Sequence, residues 1–344
     1  MIRLNNDYNR AAHPDILKAI SETSLESYPG YGADEQCDLA AEKIRELTNK
    51  PDADIHFFVG ATQANYIVTA AALRPVQSVI TPETGHISRH EAGSIENTGH
   101  KLLQLSATDG KISASQIAEC AAEYYDSGKP EFLTEPKLVY ISFPTEYGTL
   151  YSLDELKSIR EVCDRYSMYL FVDGARLGYG LSAEVNDVTL KDLADLTDVF
   201  YIGGTKCGAL FGEALVITNS ELKPNFKSYM KQNGAVLAKG WLLGLQFKTL
   251  LESGTYFEIT KKADEQAMRI KQAFIEKGVP LFVDSYTNQQ FVILNSQQEK
   301  KLSEKYIFEF DGKLKDGRNV IRFCTGWSTS DEQVNELIED IAKM

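Results

Sequence analysis

Short apolar runs alternate with amphipathic stretches along the first two thirds of the chain. The apolar runs predict strands at 54–59, 78–81, 101–105, 138–143, 169–172 and 214–217. The stretches between them carry apolar residues at helical spacing, and capping boxes at Ser113 and Ser152 mark two helix starts. Because strands that alternate with helices are typical of parallel sheets, the pattern predicts an α/β fold with a mostly parallel sheet.

The pattern changes after Lys223. Two long helices are predicted over Ala235–Leu251 and Tyr256–Lys277, followed by three strands and a helix capped by Ser330. This favours a smaller C-terminal α+β domain. We therefore predict an N-terminal arm at 1–36, a large domain at 37–245 and a small domain at 246–344. The arm is polar and turn-rich, and its tyrosines favour a role at a subunit interface over that of a simple surface arm.

Charge and composition exclude several classes of function. The 344 residues carry a net charge of −13, which disfavours nucleic acid and anionic membranes as partners. No apolar run approaches the roughly 18 residues of a membrane span, and the N-terminus lacks an apolar h-region. The five cysteines form no C-x-x-C motif, which indicates neither a disulfide framework nor a zinc site. We expect a cytoplasmic protein.

A glycine-rich turn holds the first candidate for chemistry. Phe200–Leu210 runs from an apolar strand into this turn, where Lys206 is the only formal charge between Val199 and Phe211. An amine in such a place loses hydration, which lowers its pKa as a Schiff-base lysine requires. The alternative is a lysine on an ordinary hairpin loop.

Asp173 is the second candidate, at the end of the predicted strand 169–172. Ligands of open α/β sheets bind outside the carboxyl ends of strands. An aspartate there can pair with the protonated ring nitrogen that makes pyridoxal phosphate an electron sink. A strand-end cap is the alternative, but the combination with Lys206 is much rarer than either residue alone.

Three weaker signals accompany this pair. Gly60-Ala61-Thr62 joins a strand to a helix and is a candidate phosphate cradle, although it has neither Walker nor dinucleotide spacing. His86 and His90 follow a strand; without a third ligand cluster we expect no metal site, and stacking on a flat cofactor is the alternative. Arg322 lies within an apolar strand, where it either faces water on an edge or points into a cleft to hold a carboxylate.

The order of motifs along the chain is more specific than any one of them. The chain resembles the threonine aldolase group of fold type I pyridoxal-phosphate enzymes, in the wider family that includes the aromatic β-eliminating lyases. The resemblance covers nearly the whole length. Its motifs are Asn6-Asp7, Tyr31-Gly, Gly60-Ala-Thr-Gln-Ala-Asn, His86, Thr145-x-x-Gly148, Asp173-Gly-Ala-Arg176, Lys206 and Arg322.

The resemblance implies a role for each of these residues. Lys206 is expected to form the Schiff base with the cofactor, Asp173 to pair with the pyridine nitrogen, and His86 to stack on the ring. Gly60, Ala61 and Thr62 would hold the phosphate. Arg176 and Arg322 would bind the substrate carboxylate, with Asn6 and Tyr31 beside them and Arg176 also near the cofactor. The family is typically tetrameric, and we expect sites shared at a dimer interface.

Three positions depart from the family pattern. Asn6 replaces a frequent serine, and Glu146 replaces a frequent histidine, which makes Glu146 a catalytic candidate beside Lys206 and His86. The glycine-rich run that ends in a phosphate-binding arginine is reduced to 234–239 here. Lys231 and Lys239 are therefore the candidate phosphate cations.

The expected reaction is retro-aldol cleavage of L-threonine, L-allo-threonine and other L-β-hydroxy-α-amino acids to glycine and an aldehyde. The base for the β-hydroxyl is His86, a water held by it, or Glu146. One alternative is a β-eliminating lyase on the same fold. Another is a non-catalytic nucleotide-binding α/β protein, against which the missing dinucleotide fingerprint counts.

Overall fold

The computed structural model describes residues 1–344 and contains two main sheets. The strands are β1 Ile2–Arg3, β2 Asp54–Phe58, β3 Gln77–Pro82, β4 Lys101–Leu105, β5 Glu135–Ser142, β6 Tyr169–Asp173, β7 Val199–Gly203, β8 Glu213–Ile217, β9 Gln289–Leu294, β10 Tyr306–Ile307, β11 Glu309–Lys313 and β12 Asn319–Cys324.

Fourteen α-helices surround the sheets. They are α1 Pro14–Glu22, α2 Glu35–Thr48, α3 Ala61–Ala72, α4 His86–Arg89, α5 Ser94–Asn97, α6 Ala114–Tyr125, α7 Leu153–Arg165, α8 Leu177–Ser182, α9 Leu190–Leu196, α10 Phe226–Gln232, α11 Trp241–Glu252, α12 Thr255–Glu276, α13 Ser296–Ser303 and α14 Asp331–Ala342. None of them combines the length and apolarity needed to cross a membrane.

The large sheet has seven strands in the order β2-β8-β7-β6-β5-β3-β4. Strands β3 to β7 pair in parallel, whereas β8 is antiparallel to both β7 and β2. This confirms the predicted α/β fold with a mostly parallel sheet. Helices cover both faces, so its inner strands read as continuous apolar runs.

Alternation along β7 shows how the sheet separates two cores. Phe200 and Ile202 point into one apolar cluster, and Val199 and Tyr201 point into the other. Because side chains alternate along a strand, residues two positions apart share a face. The same rule places Asp173, Tyr201 and Glu213 on one face of the sheet, near the carboxyl ends of the parallel strands.

The second sheet is antiparallel, in the order β11-β12-β9. The start of the chain lies beside it: β1 and β10 form a separate two-stranded parallel sheet, and the amide of Cys324 on β12 donates to the carbonyl of the buried Leu4. Residues 2–4 thus lie against the C-terminal part of the chain. The division into an arm and two domains remains a prediction.

The helix predicted over Ala235–Leu251 begins later, at Trp241. Residues 233–240 instead form a loop, in which the carbonyl of Ala238 accepts a hydrogen bond from the amide of Tyr31. The first part of the prediction was therefore wrong. A long-range backbone contact replaces the helical bond that local periodicity favoured.

Candidate active site

Lys206 lies in the turn between β7 and β8, and buried hydroxyls brace this turn. Tyr179 donates to the carbonyl of Lys206 at 2.7 Å, and Tyr256 donates to the carbonyl of Gly203 at 2.9 Å. Gly208 has a φ of 99°, a conformation that L side chains rarely adopt. The turn is held by the core and is unlike a solvated hairpin loop.

The surroundings of Lys206 favour a neutral amine. Burial lowers the pKa of the lysine, and the nearby guanidinium of Arg176 lowers it further. Asp7, Asp173 and Glu213 act in the opposite direction without overcoming these effects. An amine that loses its proton readily is what Schiff-base chemistry requires.

Asp173 ends β6, and three donors within the chain bind its carboxylate. One oxygen accepts the amide of Ala175 at 2.9 Å; the other accepts the hydroxyl of Tyr140 and, at 3.4 Å, the side-chain amide of Asn65. Burial acts to raise the pKa of Asp173, but His86 and the hydrogen bonds outweigh it, so the pKa is lowered. The residue is ionised at neutral pH and suited to pair with a cationic ring N–H.

His86 is oriented by a buried carboxylate, Glu91. Its Nδ1 lies 2.8 Å from Oε1 of Glu91, which also accepts the side-chain amide of Asn65 at 2.8 Å. Asn65 therefore links the partners of His86 and Asp173. Glu91, Asn65 and Tyr140 were not among the predicted site residues. For Glu91 the available signal was an acidic residue five positions after a candidate histidine.

Glu146 presents an unpaired oxygen. Its Oε1 accepts the amide of His86 at 2.8 Å and the hydroxyl of Ser142 at 2.6 Å. The buried Oε2 has no partner. Burial raises the pKa of Glu146, and the neighbouring Asp173 adds to the effect. A carboxylate that is fixed through one oxygen and bare at the other can accept a proton from a ligand.

Arg176 forms an ion pair with Asp7, which is buried. Its Nε and Nη2 donate to the two carboxylate oxygens at 2.7 and 3.0 Å, and Asn288 donates to Asp7 at 2.8 Å. Burial acts to raise the pKa of Asp7, but Arg176 outweighs it and the pKa is lowered. The adjacent Asn6 uses its side-chain oxygen to accept the amide of Tyr8 at 3.2 Å.

Arg322 lies on β12 between two neighbouring strands, so it is not an edge residue. Its Nη2 donates to the carbonyl of Asn5 at 3.0 Å and its Nη1 to the side chain of Gln289 at 3.4 Å, while its Nε is buried without a partner. Gln289 also donates to the carbonyl of Glu146 at 3.2 Å. This chain of contacts ties Arg322 to the loop that carries Glu146.

One small cleft, of about 40 Å³, collects most of these groups. It is lined by Ala61, His86, Ser142, Pro144, Thr145, Glu146, Asp173, Ala175, Arg176 and Lys206. Gly60 is the N-cap of α3, and the first backbone bond of that helix runs from Ala64 to Gly60 at 3.3 Å. The amides of Ala61 and Thr62 precede that bond, so they are free to bind an anion.

Three predicted residues lie elsewhere in the chain. The amine of Lys231 stacks over the ring of Tyr31 at 4.6 Å, and Tyr31 borders a different cavity, beside β2. Lys239 is exposed on the neighbouring loop. None of the three lines the cleft around Lys206, and the predicted substrate-binding residues Asn6 and Arg322 are likewise absent from its lining.

The cleft thus combines a lysine that favours its neutral form, a strand-end carboxylate and a helix N-terminus. This set fits pyridoxal phosphate, which carries a carbonyl, a ring nitrogen and a phosphate. Comparison with known proteins agrees: the family model described as beta-eliminating lyase matches residues 14–297. The chain belongs to the beta-eliminating lyase family.

The proteins similar to this chain include threonine aldolases and, at lower identity, aminotransferases. A low specificity L-threonine aldolase from a Pseudomonas species is 29% identical, over 95% of this chain and 93% of its own. The structure of the Leishmania major threonine aldolase is 42% identical, with a TM-score of 0.97, and covers 100% of this chain and 99% of its own. An aspartate aminotransferase of Thermus thermophilus, 13% identical with a TM-score of 0.73 over 100% of this chain and 91% of its own, shares the fold.

Proposed function

We propose that this protein is a pyridoxal-phosphate-dependent aldolase that cleaves L-threonine, L-allo-threonine and other L-β-hydroxy-α-amino acids to glycine and an aldehyde. The observation that carries the proposal is the shared cleft of Lys206, Asp173 and the unpaired oxygen of Glu146. The threonine aldolases similar to this chain support it. The family is described by β-elimination, but the proteins that are similar over nearly the whole chain are threonine aldolases, which favours the aldol reaction. Membership of a lyase family displaces the nucleotide-binding alternative.

Pyridoxal phosphate, when bound, supplies an electron sink for the bond that is cleaved. Lys206 would hold its carbonyl carbon and Asp173 its ring N–H. His86, oriented by Glu91, would cover the ring, and the amides at the start of α3 would hold the phosphate with Gly60 and Thr62. Because Asp173 is ionised at neutral pH, it can keep a proton on the ring nitrogen.

Arg322 is the proposed anchor of the substrate carboxylate, since its Nε has no partner within the chain. Arg176 lines the cleft around Lys206 but binds Asp7 through two of its nitrogens, so it would contribute mainly through Nη1. Asn6 is next to Asp7 in the chain, and we propose that it joins these arginines when substrate binds. Anchoring the carboxylate fixes the orientation of the α-carbon, which favours L substrates.

Glu146 is the proposed base for the β-hydroxyl. Its Oε2 is unpaired, and burial raises its pKa, which makes this carboxylate a stronger proton acceptor than an exposed glutamate. The hydroxyl hydrogen would pass to Oε2 as the carbon–carbon bond opens. His86 is the alternative base, since the contact of its Nδ1 with Glu91 leaves Nε2 able to accept a proton. The β-hydroxyl can give its proton to this carboxylate directly or through a water molecule. Substrates of either β-configuration would therefore be cleaved, which gives low specificity at the β-carbon.

We also infer a homo-oligomer, a tetramer with cofactor sites at a dimer interface. Tyr31, Lys231 and Lys239 lie outside the cleft of their own chain, which is expected if they complete the cleft of a second copy. Leu25 is 98% exposed and Tyr31 53% exposed on the same segment, which supports burial against a partner. A fully active monomer in sedimentation would contradict this. A cytoplasmic location is part of the same proposal.

Two measurements test the function. Purified protein should carry a borohydride-reducible adduct with visible absorbance; Lys206→Ala should lose it, and the exposed control Lys300→Ala should keep it. The four threonine stereoisomers should then be assayed separately. Glycine and acetaldehyde are expected from both L isomers. An α-keto acid with ammonia, activity on a D isomer, or strict use of one L isomer would contradict the proposal.

A further inference from the structure

Glu213 is a buried acid that the proposed reaction does not use. It begins β8, is 3% exposed, and lies opposite Gly203 on β7 and Phe58 on β2. The other four residues of its strand are apolar. A carboxylate inside a sheet is costly unless hydrogen bonds or charges compensate it. Its contacts therefore indicate what keeps it there.

Both oxygens of Glu213 bind the turn that carries the cofactor lysine. Oε2 accepts the amide of Gly204 at 3.2 Å, and Oε1 accepts the hydroxyl of Thr205 at 3.0 Å. The same hydroxyl oxygen accepts the amide of Gly212 at 2.9 Å. The carboxylate thus joins the two residues that precede Lys206 to the far end of the turn.

The charge of Glu213 also reaches Lys206. Burial raises the pKa of Glu213 to about 8, and Lys206 is the neighbour that opposes this most. Asp173 lies on the same face of the sheet and acts to raise that pKa further. The groups that face Glu213 are Lys206, Thr205, Asp173, Tyr201, Tyr256 and Cys207. Among them only Lys206 carries a positive charge.

We propose that Glu213 is a positioning residue for Lys206: through Gly204 and Thr205 it fixes the turn, and its charge governs how readily the lysine amine gives up its proton. Above about pH 8, where the carboxylate of Glu213 is anionic, it stabilises the ammonium form of Lys206. Once the amine is neutral, this stabilisation disappears and the repulsion from Asp173 remains. The inference rests on the proposed role of Lys206 as the cofactor lysine.

The test is the titration of Lys206 in cofactor-free protein, read as trace acetylation of its peptide against pH by mass spectrometry. Glu213→Gln removes the charge and keeps the shape. The midpoint should fall by about one pH unit, because a nearby opposite charge shifts a pKa by about one to three units. The exposed control Glu252→Gln changes the net charge equally and should match the wild type. An unchanged midpoint in Glu213→Gln would overturn the role of the charge.

Thr205→Val tests the positioning role separately. It removes the hydroxyl bound to Glu213 and retains the carboxylate, so the midpoint should stay near that of the wild type. Attachment of pyridoxal phosphate to Lys206 should slow by about threefold to tenfold, the effect of one lost hydrogen bond. Attachment of pyridoxal phosphate at the wild-type rate would overturn this role. This test does not depend on whether the Glu213→Gln variant folds.

These readouts are independent of substrate cleavage. If Lys206→Ala retains a reducible adduct, the proposed function fails, while the titration of Lys206 in Glu213→Gln still reports on the carboxylate itself.

Discussion

Arg176 and Arg322 are both expected to meet the substrate carboxylate, yet their surroundings differ. Arg176 is 13% exposed and binds the two oxygens of an aspartate that is itself fully buried. Arg322 binds only neutral acceptors, the carbonyl of Asn5 and the amide oxygen of Gln289. The charge of Arg176 is compensated by a carboxylate within the chain, whereas the charge of Arg322 has no anionic partner.

This difference separates bracing from recognition. Because Asp7 already balances its charge, Arg176 adds little attraction for an incoming anion. It instead holds the start of the chain against the large sheet. An arginine with neutral partners and a bare Nε offers a charge-assisted hydrogen bond. We therefore expect Arg176 to dominate stability and Arg322 to dominate substrate binding.

The largest effect is expected for Arg176→Met. Asp7 would then be buried without its counter-charge, and the free energy of unfolding should fall by about 3–5 kcal/mol, as when a buried pair loses one partner. Urea denaturation of the cofactor-free protein measures this. Asp7→Asn combined with Arg176→Met should recover part of the loss. A loss no greater than that of Arg322→Met would remove the distinction.

Arg322→Met should act on catalysis. A hydrogen bond to a charged group contributes about 1.5–3 kcal/mol, so kcat/KM should fall by about tenfold to a hundredfold or more. The absorbance of the bound cofactor and the urea midpoint should remain close to those of the wild type. Normal kcat/KM would mean that Arg322 faces solvent and that the carboxylate is bound elsewhere.

Acid should reveal the ion pair of Arg176. Because the pKa of Asp7 is lowered on folding, its contribution to stability is present above its ordinary pKa of 3.8 and is lost as pH falls through the folded value. The gap in unfolding free energy between the wild type and Asp7→Asn should therefore narrow below about pH 4. Arg322→Met should run parallel to the wild type over this range; a constant gap for Asp7→Asn would contradict the pairing.

The smallest effect is expected for Gln289→Leu. Gln289 supports both Arg322 and the carbonyl of Glu146 through neutral hydrogen bonds. Each such bond contributes about 0.5–1.5 kcal/mol, so KM should rise by about threefold to tenfold. The unfolding of Arg176 variants should be unaffected by this change. A loss as large as that of Arg322→Met would show that Gln289 contacts substrate itself.

The sequence predicted the site residues that lie next to glycine-rich turns or at strand ends. Lys206 lies in a glycine-rich turn and Asp173 at a strand end, and both features are local. Tyr140 and Glu213 were missed because their partners lie on neighbouring strands or across a turn. Glu91 did have a local signal, since it follows His86 by five positions. Tyr140 in particular reads as one more apolar residue of a buried strand.

The fold follows the same rule. The alternation of strands and helices was sufficient to predict the central sheet. The capping boxes at Ser113 and Ser152 also start helices as predicted. The two-residue strand β1 left no pattern to read, and the loop before α11 was predicted as helix. Both depend on contacts between residues far apart in the chain.

The insertion of Leu4 between β10 and β12 imposes an order on assembly during synthesis. The amide of Leu4 donates to Ile307 and its carbonyl accepts from Cys324, so the residues around Leu4 find these partners only after residues 307–324 have been made. Until then Asp7 cannot reach its place beside Arg176. The large sheet can form on the ribosome, but the substrate end of the cleft closes only once the C-terminal sheet is complete. Newly made protein should therefore gain its fold before it gains its activity.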